Sequence, residues 1–440
     1  MGNCQPITEV LTEDQKAVLL VPGMVSNAIE ARVKGACSCQ GNACNAGGFE
    51  SYDVAWIKPS ALLKHPKILV SLKLEIDEES DEVTTVTPEG RDVRIVDGLD
   101  GIATLNPGSA LPPIKLWYNM ITHLEDIYSV VPFNYDWRRW GDVPFARDEL
   151  VPKFMNLVEI CAETTNKPVT IIGHSMGAPV AFYCMSQAGP EWVKENIDAI
   201  IMIGPAFGTP TMFPSYACGP IAGMFDIIPE SIENKLAHIT STWPCMVAEF
   251  PFPVGDYTIF DTDYDFVQTP TTQYKYGDVQ RFLNAVAQNV EDGIEEHDVF
   301  TYGAKYCEGC SELSAGVHPQ PVPVHFIYGA GQHSPTRFQY ASDDLTSVPT
   351  TLENQPGDNT VLASSVERLA DYWKKAGHEV TLHKAPDAEN HSSLLKCDYT
   401  LNKVSDLLEV LDETSELPAK RDHSQKHGFV QKIREVLPDF

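Results

Sequence analysis

The chain has 440 residues, 43% of them hydrophobic, which is enough to bury a full core and long for one compact domain. Its 61 acidic side chains outnumber 32 basic ones, a formal charge of −29, which argues against a nucleic-acid partner and against any electrostatic pull toward anionic lipid. No apolar run reaches the roughly 18 residues of a spanning helix, so membrane contact is expected to be local and apolar.

The start, Met1-Gly2-Asn3-Cys4-Gln5-Pro6, lacks the basic and apolar regions of a secretory signal. Gly2 and Cys4 superficially match an acylated terminus, but Pro6 stands where Ser or Thr belongs. Ala17 to Val21 reads as a short apolar strand ended by Pro22-Gly23, and Asn27 to Val33 as the start of a helix. Residues 34–67 form a lid or membrane-binding loop, where Tyr52, Trp56, Ile57 and Ala61-Leu62-Leu63 lie between Lys58 and Lys64. An exposed Trp56 there suits a lipid interface, and a buried aromatic clamp is the competing reading.

Val130 to Phe133 is a further strand, running into Asn134-Tyr135-Asp136-Trp137-Arg138-Arg139. Leu150, Phe154, Leu157, Val158 and Cys161 then recur at helical spacing. After the apolar strand Val169 to Ile172 come Gly173-His174-Ser175-Met176-Gly177, a helix from Ala178 to Gln187, and a strand from Ala199 to Ile203. Strand and helix alternating in this order predict an α/β fold with a parallel sheet covered on both faces.

Residues 206–317 break the alternation and read as an inserted cap, in which Trp243, Phe250 and Phe252 are either pocket lining or ordinary core. The alternation resumes with strand Val324 to Tyr328, helix Leu362 to Ala376, strand Glu379 to Leu382 and helix Ser393 to Leu411. The domain reading is therefore a first core part at 15–205, the cap at 206–317, a second core part at 318–412 and a mixed-charge tail at 413–440.

The pentapeptide around Ser175 is a weak signal alone, but between a strand and a helix it reads as a nucleophile elbow, whose strained turn demands small flanking residues. A serine hydroxyl needs a histidine base oriented by a carboxylate, in the chain order Ser, Asp, His for such a sheet. Asp358, in Pro356-Gly357-Asp358-Asn359-Thr360-Val361, fits as the carboxylate, with a mere cap as the alternative. His391 follows the last strand and falls at the carboxyl edge of the sheet, whereas His378 and His383 belong to that strand or its approach and His174 points away from the cleft. An oxyanion hole would use the backbone N–H of Met176, after the nucleophile, and of Met24, in the loop after the first strand.

Eleven cysteines are scattered, apart from Cys37, Cys39 and Cys44 and the pair Cys307 and Cys310. Free thiols or a lid disulfide are favoured over a zinc site, and no metal or other cofactor is expected. The sequon Asn390-His391-Ser392 falls on the candidate base, where a glycan would obstruct it. Together with the missing signal, this favours a cytoplasmic or peripheral-membrane location over secretion.

Val18-Leu19-Leu20-Val21-Pro22-Gly23, Asn27-Ala28-Ile29-Glu30-Ala31, Tyr135-Asp136-Trp137-Arg138, the Ser175 elbow and Gly357-Asp358-Asn359-Thr360-Val361 form an ordered set that resembles the lecithin:cholesterol acyltransferase family over most of residues 15–412. The resemblance implies an α/β-hydrolase core with lid and cap, and acyl transfer from phospholipid through an acyl-serine to a sterol, a glyceride or water. It places triad and oxyanion roles on Ser175, Asp358, His391, Met24 and Met176. Two departures stand out: Ser26 occupies a position where the family usually has Gly, and a local lid bridge would have to lie within Cys37, Cys39 and Cys44. The implied partners are phospholipid and lipid alcohol at a membrane or lipid-particle surface. The alternatives are a soluble carboxylesterase and a catalytically silent lipid-binding relative.

Overall fold

A computed structural model of the chain describes residues 11–12, 15–33, 52–56, 67–105, 113–218, 237–289, 300–386 and 388–414. Most of the lid segment, with Cys37, Cys39 and Cys44, the first ten residues and the tail from 415 lie outside the described residues.

The core is a six-stranded sheet with helices on it, in chain order β1 (Ala17–Val21), β2 (Ser129–Pro132), α1 (Val151–Thr165), β3 (Val169–His174), α2 (Gly177–Ala188), β4 (Ile197–Ile203), β5 (Val324–Gly329), α3 (Ala363–Lys375), β6 (Val380–Ala385) and α4 (Asp398–Thr414). Every pairing is parallel, in the order β6-β5-β4-β3-β1-β2. The inner strands β1 and β3 are buried along their whole length, as strands covered on both faces must be, which is why they read as unbroken apolar runs. Helix α1 ends at Asn166 in the left-handed conformation, and α2 ends at Gly189 with Pro190 behind it.

The chain passes from β1 to β2 on one side and returns to β3 on the other, so connections diverge between β1 and β3. In an open parallel sheet that divergence leaves a crevice at the carboxyl ends of the strands, and both the loop after β1 and the elbow after β3 open into it.

Two smaller sheets depart from the sequence expectations. Ile29–Val33 is a strand, not a helix, paired antiparallel with both Asp53–Trp56 and Arg91–Ile95. Its alternation, with Ile29 and Ala31 buried and Glu30 and Arg32 outward, is the period of a half-buried strand. Glu30 and Arg32 lie directly opposite Arg94 and Asp92 and pair with them, while both arginines sit over the ring of Tyr52. The second sheet joins Asp265–Gln268 and Gln273–Lys275 to the long hairpin Gln332–Gln339 and Thr350–Gly357. The segment read as a cap is thereby tied to the chain beyond β5, and the hairpin delivers Asp358.

Aromatic residues of the 206–317 segment continue the core: Phe207 lies against Phe326 and Trp373, and Trp243 against Trp56 and Trp137. Phe213 stacks on Phe266 with Phe250 and Phe282 around them, so Phe250 is core, as are Trp243 and Phe252. Cys307 and Cys310 are buried unpaired thiols on helix Thr301–Ala315. Among the described residues no helix is long and apolar enough to cross a membrane, and no group of three or more His, Cys, Asp or Glu is placed to hold a metal ion.

Candidate active site

Ser175 adopts φ 56°, a left-handed conformation that non-glycine residues rarely take, as a sharp strand-to-helix turn requires. The turn survives only because its neighbours are bare. A Cβ on Gly177 would come within 2.2 Å of the Val21 carbonyl oxygen, and one on Gly23 within 2.8 Å of the Ser175 Cβ. The loop after β1 and the elbow are thus in backbone contact, which brings the Met24 and Met176 amides to the same region as the serine. Among the described residues neither amide has a hydrogen-bond acceptor.

Asp358 follows the hairpin strand Thr350–Gly357 and lies against Gly329 at the carboxyl end of β5. Its Oδ1 accepts from the amides of Thr360 and Val361 at 3.1 and 2.7 Å, and its Oδ2 accepts from His391 Nδ1 at 2.7 Å. The cap of α3 is Leu362, so Asp358 does not cap that helix. His391 opens a short 3-10 turn, His391–Leu395, whose start is fixed by the Asn390 side chain accepting from the Ser393 amide. Asp358 and His391 are 2% and 6% exposed, and the His391 Nε2 has no partner among the described residues.

Two sequence expectations change here. Trp56 is not an exposed lipid-facing side chain: it is 1% exposed, edge-on to Trp137 and Trp243, and its Nε1 donates to the Val25 carbonyl at 3.1 Å. An indole with its N–H satisfied gains more from this interior than from a surface. His174 lies against the His391 ring, centroids 4.7 Å apart, with burial as the main cause holding its pKa well below the ordinary value. His383 stays apart, its Nε2 3.4 Å from His325 Nδ1.

The residues that sequence reasoning left without a role are those that brace the loop after β1. Tyr135 donates its hydroxyl to the Pro22 carbonyl at 2.7 Å, Trp137 Nε1 to the Asn27 carbonyl at 3.0 Å, and Asn134 Nδ2 to Asn27 Oδ1 at 3.0 Å. Arg138 ties this motif down by its fork to Asp136 and its Nη1 to the Leu72 carbonyl. The strain in the loop sits at Val25, φ 57°, and not at Ser26, whose amide and hydroxyl close onto the carbonyls of Gly23 and Met24. Serine at position 26 therefore needs no glycine-like freedom. The signal for these braces was the aromatic motif directly after β2, whose polar tips must find partners once buried.

A doubly covered parallel sheet with a strained serine elbow at its switch point, and a carboxylate–histidine pair at the same edge, is an α/β-hydrolase. The family model for lecithin:cholesterol acyltransferase matches residues 68–398, and the chain belongs to that family. It is similar to the mouse (Mus musculus) lysosomal phospholipase A and acyltransferase, 26% identical over 405 residues covering 85% of this chain and 86% of that protein. It is also similar to the human (Homo sapiens) phosphatidylcholine-sterol acyltransferase, 28% identical over 280 residues covering 62% of this chain and 57% of that one. Among solved structures, the Tle4–Tli4 complex contains a chain that aligns over 90% of this one and 98% of its own, at 12% identity and a TM-score of 0.47.

Proposed function

We propose that the protein cleaves an acyl ester of a phospholipid through an acyl-Ser175 intermediate and passes the acyl group to an alcohol, such as a sterol or glyceride, or to water. The observation that carries this reading is the Asp358–His391 pair at 2.7 Å, with the free Nε2 of His391 buried at the edge where the elbow opens. Family membership, with relatives named as phospholipase, acyltransferase and sterol acyltransferase, supports lipid acyl transfer as the chemistry.

In this mechanism His391 Nε2 takes the Ser175 proton as Oγ attacks the ester carbonyl, and Asp358 stabilises the imidazolium through Nδ1. The Met24 and Met176 amides receive the oxyanion, a donor pair of which each member is worth roughly 3 kcal/mol in such sites. Collapse breaks the ester bond, and His391 returns the proton to the departing lysophospholipid oxygen. Water or a second alcohol then attacks the acyl-serine by the same route in reverse. No metal or redox cofactor enters these steps. With a net charge of −29, lipid is met through apolar side chains at a surface, not through charge.

The test is product analysis by mass spectrometry from phosphatidylcholine vesicles, with and without sterol or diacylglycerol. Lysophospholipid together with free fatty acid or acylated alcohol is expected from the wild type and none from Ser175→Ala. Turnover confined to short soluble esters would overturn the lipid reading in favour of a soluble carboxylesterase. Undiminished product from Ser175→Ala would overturn the acyl-serine.

A further inference from the structure

We propose that His174 is a positioning residue for the general base, holding the His391 imidazole and its backbone through ring contact and through an Nε2–H donated to the His391 carbonyl. The inference rests on Ser175, Asp358 and His391 forming the triad. The two rings are inclined by 34° with centroids 4.7 Å apart, and His174 Nε2 lies 3.2 Å from the His391 carbonyl oxygen. A carbonyl oxygen only accepts, so the His174 proton sits on Nε2 and Nδ1 is bare. That buried Nδ1 has no partner among the described residues. Trp117 packs edge-on against His174 at 6.2 Å, fixing the ring that fixes His391.

The space around His391 is equally restricted at Gly204, the residue after β4. A Cβ there would come within 3.0 Å of His391 Cε1 and 3.2 Å of Nδ1. His391 is thus confined by a neighbouring ring and by a backbone that tolerates no side chain, while Asp358 holds its Nδ1.

Charge matters as much as shape. The titratable group facing His174 is His391, with Asp358 beyond it. Burial keeps His174 neutral, the charge of His391 works in the same direction, and the hydrogen bond to the His391 carbonyl opposes them more weakly. A second cation in contact with His391 would oppose the imidazolium that forms when the serine proton is taken, and a neutral ring does not. His174 is also next in chain to Ser175, so one residue links the placement of nucleophile and base.

Two variants separate the contributions. His174→Phe keeps a ring and removes the donor, and His174→Asn keeps a donor and removes the ring. On a soluble chromogenic ester each is expected to lower kcat roughly tenfold, with KM within about twofold and the acid limb of the kcat/KM profile displaced. Wild-type kcat and an unmoved profile in both variants would overturn the proposal. A measurement that needs no turnover is imidazole nitrogen NMR on the Ser175→Ala protein. His174 is expected as the neutral Nε2–H form, unchanged between about pH 5 and 8. A His174 that titrates in this range, or carries its proton on Nδ1, overturns the proposal whatever the activity assays give. Persisting activity of Ser175→Ala, by contrast, would count against the triad itself.

Discussion

At the residue scale, Asp358 divides its two oxygens between its own turn and His391. Oδ1 takes the amides of Thr360 and Val361 and shapes the turn, while Oδ2 takes His391 Nδ1. Asp358→Asn is therefore expected to keep the turn, since an amide oxygen still accepts there, but to present an N–H₂ to His391 Nδ1 and force the wrong tautomer. The expected outcome is a fall in kcat of about 10⁴-fold with the thermal midpoint nearly unchanged, read by steady-state kinetics beside a melting curve. A large loss of stability with modest loss of rate would assign Asp358 to structure alone. His391→Ala is expected to end acyl-enzyme formation and His383→Ala to leave it intact, because His383 is engaged with His325 away from the elbow. Mass spectrometry of the intact protein after a slow-turnover ester decides between them.

At the scale of elements, the loop after β1 is held by three side chains from two separate segments. Trp56 from the strand Asp53–Trp56, and Tyr135 and Trp137 from the turn after β2, each place a hydrogen bond on a loop carbonyl. They keep Val25 left-handed, a conformation that costs of order 1–3 kcal/mol. Trp56→Phe removes one N–H and keeps most of the bulk, so kcat should fall about tenfold while KM changes little. A raised KM for lipid vesicles with unchanged turnover of a soluble ester would instead make Trp56 a lipid contact. Tyr135→Phe leaves the Pro22 carbonyl buried without its donor, an expected destabilisation of about 1–3 kcal/mol by denaturant titration. These braces were not legible from spacing. Ile29–Val33 carried its strand period in plain sight, yet its partners lie at 53–56 and 91–95, and only that pairing decides strand over helix.

On the scale of the whole molecule, the 206–317 segment is joined to the hairpin 332–357 through a shared sheet, and it carries a buried carboxyl of its own. Glu249 lies wholly inside, where burial pushes its pKa up to about 8, the Thr209 hydroxyl opposing. The folded protein therefore holds a proton there that the unfolded chain has already released. Its contribution to stability is complete below the ordinary carboxylate range and is lost as pH rises through about 8. Glu249→Gln is neutral at every pH, so the variant should gain on the wild type as pH rises from about 5 to about 8.5. Thermal midpoints of both proteins at the two pH values check this, and a difference that stays constant would show that Glu249 does not titrate with folding.

The amino-acid sequence by itself determined the inner strands, the elbow and the order of Ser175, Asp358 and His391, because these depend on local chemistry: apolar runs, glycines at a strained turn, and residues that follow strand ends. The three-dimensional structure alone decided that Trp56 is interior, that His174 lies against His391, and that the 265–275 strands join the 332–357 hairpin. Each of these depends on pairing or packing between segments far apart in the chain. Local propensity carries no information about such contacts until the sheet brings the segments together.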